Sequence, residues 1–448
     1  MYTNSDDIVA LATVLGKSAL NVVRLSGERC ESFFQRLIKS KVTPKPNYVY
    51  LKYIYSKNEK EPFDFASLVY YKAPKSFTGE DCLEVSVHGG VIIANKLIET
   101  LISLGARQAL PGEFSYRAFN NNKIDLLQAE GIAAIVEANN SIDSYYLLSN
   151  IKGNLSSSLK GVKAEIISLI TEGEHEIDFT EQEITEKKKL NFNRGLLSCQ
   201  KKIENILKTS YTETKNTSGL RVAIVGLPNV GKSSIFNYIV GQSRSIVTDE
   251  KGTTRDTVEK EIYIGTTLVT LIDTAGLRKT KNKAETLGIQ KTYKEIANAN
   301  ILIVVDDRDP IKTYNQLKPD IKAQKVLLTH NKTDLFKKQK KRAFVYDISC
   351  KTRHGFNGFL TELLTLCKKE INLFNAQYLY LLNRRQRGLL DQIERGLVLT
   401  IKEHQKMQDL AVCLSNLYII RDCFDSLIQP SEKEEILHSI FKGFCVGK

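Results

Sequence analysis

A glycine-framed loop, Gly226-Leu-Pro-Asn-Val-Gly231-Lys232-Ser233, stands directly behind the apolar run Leu220-Arg-Val-Ala-Ile-Val225. The spacing satisfies GxxxxGK[ST] in full, and the β-branched run reads as the strand that such a loop needs, with a helix to follow. Backbone N–H groups of Asn229, Val230 and Gly231 can cradle phosphates. The Lys232 amine can reach their outer oxygens, and the Ser233 hydroxyl, with Ser234 beside it, can hold Mg2+.

Three later signals name the nucleotide. Asp273-Thr274-Ala275-Gly276 follows the run Leu268–Ile272. A carboxylate there reaches Mg2+ through water, and the glycine lets a backbone N–H approach a γ-phosphate. Asn331-Lys332-Thr333-Asp334 follows Val326–Leu328. The Asp334 carboxylate can accept hydrogen bonds from the ring N–H and the amino group of guanine, a pattern that adenine does not present. Ser349-Cys350-Lys351, behind Ile348, completes a loop on the base side. In this order the set points to GTP with Mg2+. Between the first two signals lies Thr248-Asp249-Glu250-Lys251-Gly252-Thr253-Thr254, the place of a switch loop; Thr254 is expected to close over Mg2+ and the γ-phosphate and to let go after hydrolysis. Leu277 stands where Ras-like enzymes carry the glutamine that orients water, so another group must do that here.

These signals need about 150 residues of the 448, and the length implies about three domains. A hydrophobic fraction of 42% is enough for real cores, yet no run approaches a membrane span. A net charge of +13 and a pI near 9.1 favour a polyanionic partner such as nucleic acid. Eight scattered cysteines, none in a C-x-x-C pair, suggest reduced thiols rather than zinc or disulfides, and the first residues carry no secretory or mitochondrial signal. A cytoplasmic protein is expected.

The expected positioning elements are an α/β P-loop domain over 218–374 and two flanks. Residues 1–121 read as α+β: runs at Ile8–Ala12, Val22–Leu25, Tyr48–Leu51, Leu68–Tyr71 and Leu83–Val87 predict strands, with helices near 27–40 and 90–104 and turns at Pro44–Pro46 and Pro111–Gly112. From there the pattern turns helical. Leu155, Leu159, Val162, Ile166 and Ile170 form one apolar stripe, and Leu410, Leu414, Leu417 and Phe424 another, with Ile420 between. Segments 122–217 and 375–448 therefore predict one helical bundle into which the nucleotide domain is inserted.

The flanks carry further motifs: Asp7-Ile-Val-Ala-Leu-Ala-Thr13, Val23-Arg24-Leu-Ser-Gly27, Ser76-Phe-Thr-Gly-Glu-Asp-Cys-Leu-Glu84 and His88-Gly-Gly90. Then come Pro111-Gly-Glu-Phe114, Arg117-Ala-Phe119, Lys123-Ile-Asp-Leu-Leu-Gln-Ala-Glu130, Ile177-Asp-Phe179, Gln182-Glu-Ile184 and the terminal Cys445-Val-Gly-Lys448. With these, the chain resembles the MnmE (TrmE) family of tRNA modification GTPases along essentially its whole length.

The resemblance implies a homodimer that works with a flavoprotein, MnmG, to place an aminomethyl or carboxymethylaminomethyl group on C5 of the wobble uridine of certain tRNAs. It implies that a folate, 5,10-methylene- or 5-formyl-tetrahydrofolate, binds in the N-terminal domain at the dimer interface, lined by Arg24, Glu84, Lys123 and Lys448. It also implies a K+-activated GTPase whose nucleotide domains pair. Asn229, Thr248, Glu250 and Thr253 would ligate K+, and Glu285 would position the hydrolytic water. Cys445 has two readings, a reactive thiolate or a small residue packing the tail. Two departures stand out: Val14-Leu-Gly-Lys-Ser-Ala19 replaces the family's Gly-rich turn, and Asp409–Asn416 lacks its usual acidic pair. The basic runs Lys337–Arg342 and Lys187–Lys189 are candidates for tRNA contact. The competing class is a regulatory GTPase of the Era type whose flanks only bind RNA; it has no use for Arg24, Glu84, Lys123 and the Cys-Val-Gly-Lys tail in these contexts.

Overall fold

A computed structural model describes residues 6–138, 141–178, 186–212, 220–242, 258–264, 267–274, 297, 299–317, 325–335, 344–406, 409–430, 437, 440–444 and 447. The chain forms two compact units. One comprises Met1–Val136, Leu148–Glu204 and Gly388–Lys448; the other comprises Glu137–Leu147 and Asn205–Arg387.

In the first unit, strands β1 (Ile8–Leu11), β2 (Leu20–Ser26), β3 (Val49–Tyr55), β4 (Pro62–Tyr71), β5 (Cys82–His88) and β6 (Arg107–Gln108) make one sheet in the order β3-β4-β5-β2-β1-β6. All pairs are antiparallel except β1–β6. Alternation decides the faces. Val23, Leu25, Leu68, Tyr70, Val85 and Val87 are buried on one face, against Phe33 and Phe34 of helix Cys30–Leu37 and Leu97 and Leu101 of helix Val91–Ser103. Arg24 and Glu84, directly paired in register, therefore point to the other face.

The sequence reading foresaw only a turn at Pro111–Gly112, but a further helix, Glu113–Asn120, follows it. Its apolar residues Phe114, Tyr116 and Phe119 are buried, the last two against Phe441 near the C-terminus. The helix escaped notice because its charged residues, which look surface-exposed in sequence, are buried too. β4 also begins earlier than expected, at Pro62.

Four long helices lie wholly or mostly in this unit: Asn154–Asp178, Glu186–Lys208, Arg384–Lys406 and Leu410–Ile428. Leu155, Leu159, Val162, Ile166 and Ile170 are all buried, as the spacing implied, each worth about 1.5–3 kcal/mol of transfer. The contacts run in a ring. Leu169 packs on Gly195, and Lys202 pairs with Glu165. Phe192 lies 5.2 Å from His404, Ile420 packs on Gly396, and Leu414 packs on Gly173.

In the second unit, β7 (Ser210–Thr212) pairs with β14 (Tyr380–Leu382), a small parallel ladder that no sequence signal announced. Between them, β8 (Leu220–Gly226), β9 (Val258–Ile264), β10 (Thr267–Asp273), β11 (Ile301–Asp306), β12 (Lys325–His330) and β13 (Val345–Asp347) form a sheet of order β13-β12-β11-β8-β10-β9. Only β9 runs antiparallel. β8 and β11 are apolar without alternation because both faces are covered. Ile235, Phe236, Phe356 and Phe359 cover one face, while Ala223, Ile272, Leu302 and Val304 pack on the other beside Tyr314. The chain order jumps on either side of β8, so the crevice at its carboxyl end is the place for a ligand. Among the described residues no helix is long and apolar enough to cross a membrane.

Candidate nucleotide site

The loop Gly226–Gly231 leaves β8 at that crevice and enters helix Lys232–Gln242. Asn229 (φ +64°) and Gly231 (φ +98°) both adopt left-handed backbone, which turns successive N–H groups inward. A side chain at Gly231 is excluded: its Cβ would lie 2.2 Å from Asn331 Nδ2. Lys232 is buried and its Nζ donates to the carbonyls of Gly226 (3.2 Å) and Leu227 (2.9 Å). Burial lowers its pKa, against the opposing pull of Asp273. Ser233 and Ser234 are exposed at the helix start.

Asp273 ends β10. Burial raises its pKa, opposed by a hydrogen bond with Ser233 and by the Lys232 charge. Its Oδ1 is buried with no hydrogen-bond partner among the described residues. A buried, unsatisfied carboxylate oxygen beside a serine hydroxyl is what a hard cation with oxygen ligands requires, so these residues fit Mg2+. Thr274 is buried with its hydroxyl on the Ile224 carbonyl, 2.7 Å, which locks the start of this segment to β8.

The base-side loops are tied to the phosphate loop and to each other. Asn331 Nδ2 donates to the Val230 carbonyl (2.8 Å), and its Oδ1 accepts from the Cys350 N–H (3.3 Å). Ser349 Oγ donates to Asp334 Oδ1 (2.6 Å), and that bond holds the Asp334 carboxyl below the usual range, so it stays an acceptor. Lys332 pairs with Asp307 at 2.8 Å. Burial pushes the Cys350 thiol up, so it is no thiolate. Lys351 is exposed at the rim.

A second constellation lies on the outer face of the N-terminal sheet. Arg24 Nε donates to Glu84 Oε1 at 2.9 Å, and its guanidinium lies 5.8 Å from the Phe77 ring and 5.9 Å from the Phe114 ring. Its Nη1 reaches the Gly447 carbonyl (3.4 Å), and Gly447 in turn packs against the Leu11 backbone. The penultimate residue of the chain is thus brought to Arg24 and Glu84. Lys123 Nζ donates to the Pro74 carbonyl (2.8 Å), on the loop that carries Phe77.

The profile described as GTP-binding protein TrmE N-terminus matches residues 7–123, and that of the MnmE helical domain matches 126–445. The tRNA modification GTPase MnmE of Sulfurimonas denitrificans is 32% identical over 456 residues, covering 99% of this chain and all of that protein. Its counterpart in Aquifex aeolicus is 33% identical over 455 residues, 99% of this chain and all of that protein. This chain belongs to the MnmE family. Among solved structures it is similar to an Era variant of Aquifex aeolicus bound to GDP and AlF4−, at 24% identity and a TM-score of 0.26, over 33% of this chain and 56% of that one.

Of the site residues expected from the sequence, Thr248, Asp249, Glu250, Lys251, Gly252, Thr253, Thr254, Ala275, Gly276, Glu285, Cys445 and Lys448 lie outside the described residues. Sequence reasoning also passed over a polar network beneath the Arg24 face. Arg117 is fully buried and pairs with Glu80 (2.9 Å) and Glu113 (3.4 Å); Glu113 also holds Arg107 at 2.6 Å. Glu80 accepts from Ser26 (2.8 Å), and Asn121 binds the Thr78 carbonyl (2.7 Å). The network fixes the loop that presents Phe77. Its residues stood inside the quoted motifs, and the visible signal was charge set among aromatics in Glu113-Phe114 and Arg117-Ala118-Phe119. At the base site, the His330–Asp347 pair (2.8 Å) across β12 and β13 was likewise missed.

Proposed function

We propose that this protein hydrolyses GTP in the service of tRNA modification, and that Lys232, Ser233, Asp273 and Asp334 form its nucleotide site. The observation that carries this is the unsatisfied, buried Asp273 Oδ1 beside Ser233, at the mouth of a loop whose backbone can seat only phosphates or another anion. Mg2+ held there would neutralise charge that builds on the phosphates. Lys232, already desolvated and bound only to loop carbonyls, turns to the outer phosphate oxygens when nucleotide enters. Asp334, kept ionised by Ser349, accepts the two guanine N–H groups.

Following the family, the same reading extends to a cytoplasmic homodimer working with the flavoprotein MnmG on C5 of the wobble uridine. The domain assignment is 1–121 for folate binding and dimerisation, 122–217 and 375–448 for the helical domain, and 218–374 for GTP. K+ at Asn229, Thr248, Glu250 and Thr253 would offset charge between the β- and γ-phosphates, as an arginine finger does elsewhere. Glu285 would hold the water, which accounts for Leu277 in place of glutamine. A tetrahydrofolate would bring the one-carbon unit. Glu84 suits a pterin amide edge, while Arg24, Lys123 and Lys448 suit an anionic glutamate tail, with Cys445 nearby in sequence to Lys448.

The test compares GTP hydrolysis in K+ and Na+ at equal ionic strength, for the wild type and Asn229→Ala. Strong stimulation by K+ that vanishes in the variant is the expected result. Equal rates in both salts would remove the K+ assignment, and no hydrolysis under any condition would remove the GTPase reading itself.

A further inference from the structure

Helix 186–208 of the bundle turns an unusual face to solvent. At steps of three and four residues that face presents Asn191, Arg194, Ser198, Lys201, Asn205 and Lys208, every one exposed. In the sequence the same step leads back to Lys187. The described row is amide, cation, hydroxyl, cation, amide, cation, with no acid in it. Cations recur at every seventh residue, about 10.5 Å along the axis. Among the described residues no ion pair occupies Arg194 or Lys201, whereas Lys202, one position away, faces Glu165 of the neighbouring helix.

Two of the other three bundle helices lack such a row; helix 384–406 shares it in part, exposing Gln392, Arg395, Leu399 and Lys402, but with Leu399 at its middle. The exposed row of helix 410–428 is Val412, Ser415, Ile419, Asp422 and Ser426, without a cation. Helix 154–178 carries five acids against two lysines. The chemistry of the row selects its partner. A protein interface needs an apolar centre, and a membrane-surface helix needs an apolar face to insert, but among the described side chains of this helix Leu197 is the one large apolar group exposed. Lysine, arginine, asparagine and serine are the side chains that contact phosphate and sugar oxygens.

We propose that this face of helix 186–208 binds the sugar–phosphate backbone of the tRNA, an inference that rests on the tRNA role proposed above. The contact carries no base recognition, so it holds and orients the tRNA without choosing it. The test uses the full-length protein and fluorescently labelled tRNA, with affinity measured by anisotropy between 50 and 200 mM KCl. Wild type is compared with the double variant Arg194→Ala/Lys201→Ala and with Arg421→Ala on helix 410–428; unchanged basal GTP hydrolysis shows that each is folded. Losing two phosphate contacts should flatten the slope of log Kd against log salt by about 1.4–1.8, so raising salt fourfold weakens the double variant roughly 7- to 12-fold less than wild type. Arg421→Ala should keep the wild-type slope. A wild-type slope in the double variant would overturn the proposal and leave the tRNA role standing. Loss of binding to phosphatidylserine vesicles with tRNA binding intact would overturn it in favour of a membrane. Absence of any tRNA binding by wild type at 50 mM KCl would overturn the tRNA role together with this face.

Discussion

Gly231 and Asn331 should be energetically coupled, and the coupling can be sized in advance. A methyl group at Gly231 would sit 2.2 Å from Asn331 Nδ2, so Asn331 must retreat by more than ~1 Å to reach ordinary contact. Retreat breaks its 2.8 Å bond to the Val230 carbonyl. That bond is worth about 0.5–1.5 kcal/mol, and a left-handed backbone at a non-glycine residue adds about 1–3 kcal/mol. Gly231→Ala alone should therefore weaken GDP by about 1.5–4.5 kcal/mol, roughly 12- to 1,600-fold. In the Asn331→Ala background the methyl group has room and the bond is already gone, so only the backbone cost remains. The double-mutant cycle, read by fluorescent-GDP titration of the four proteins, should show a coupling of about 0.5–1.5 kcal/mol in which the second substitution costs less than the first. Costs that simply add would mean that Asn331 does not brace the phosphate loop, and the bridge from guanine loop to phosphate loop would lose its meaning.

Two further outcomes follow from the same contacts. Arg117→Met takes the buried guanidinium partner from both Glu80 and Glu113, and breaking a buried pair costs about 3–5 kcal/mol, so the first thermal transition should fall by several degrees or more; a Tm unchanged within error would show that the network is dispensable. The Ser349 hydroxyl lowers the Asp334 pKa, so the guanine contact is present above that lowered value and lost as pH falls through it. Ser349→Ala removes the hydroxyl and should move this loss of GDP affinity to higher pH, with circular dichroism confirming the fold; coincident profiles for the two proteins would refute the role given to the hydroxyl.

The legible parts of this chain were those where one local rule governs a residue. The phosphate loop was legible because Gly231 has no alternative at φ +98°, and β8 because a buried parallel strand must be apolar throughout. The stripe from Leu155 to Ile170 was legible because a packed helix repeats every 3.6 residues. What escaped depends on partners far apart in sequence. Helix 113–120 buries Glu113 and Arg117, which pair with each other and with Arg107 and Glu80. The β7–β14 ladder joins residues 170 positions apart, Ser210 to Tyr380, over three-residue strands too short to leave a pattern.

Burial then separates charged residues that the sequence motifs present as equals. Arg117 and Glu113 have no exposed side-chain surface, so no ligand can reach them, and their contribution must pass through the loop they hold. Arg24 and Glu84 keep 25% and 27% of their side-chain surface, lie on the sheet face opposite Phe33 and Phe34, and meet the end of the chain at Gly447. A half-exposed pair of opposite charges contributes little to stability, about 0–1 kcal/mol, and can be opened by a ligand that offers each partner a better hydrogen bond. The buried pair supplies rigidity and the half-exposed pair remains available, so the weaker of the two ion pairs is the one suited to binding.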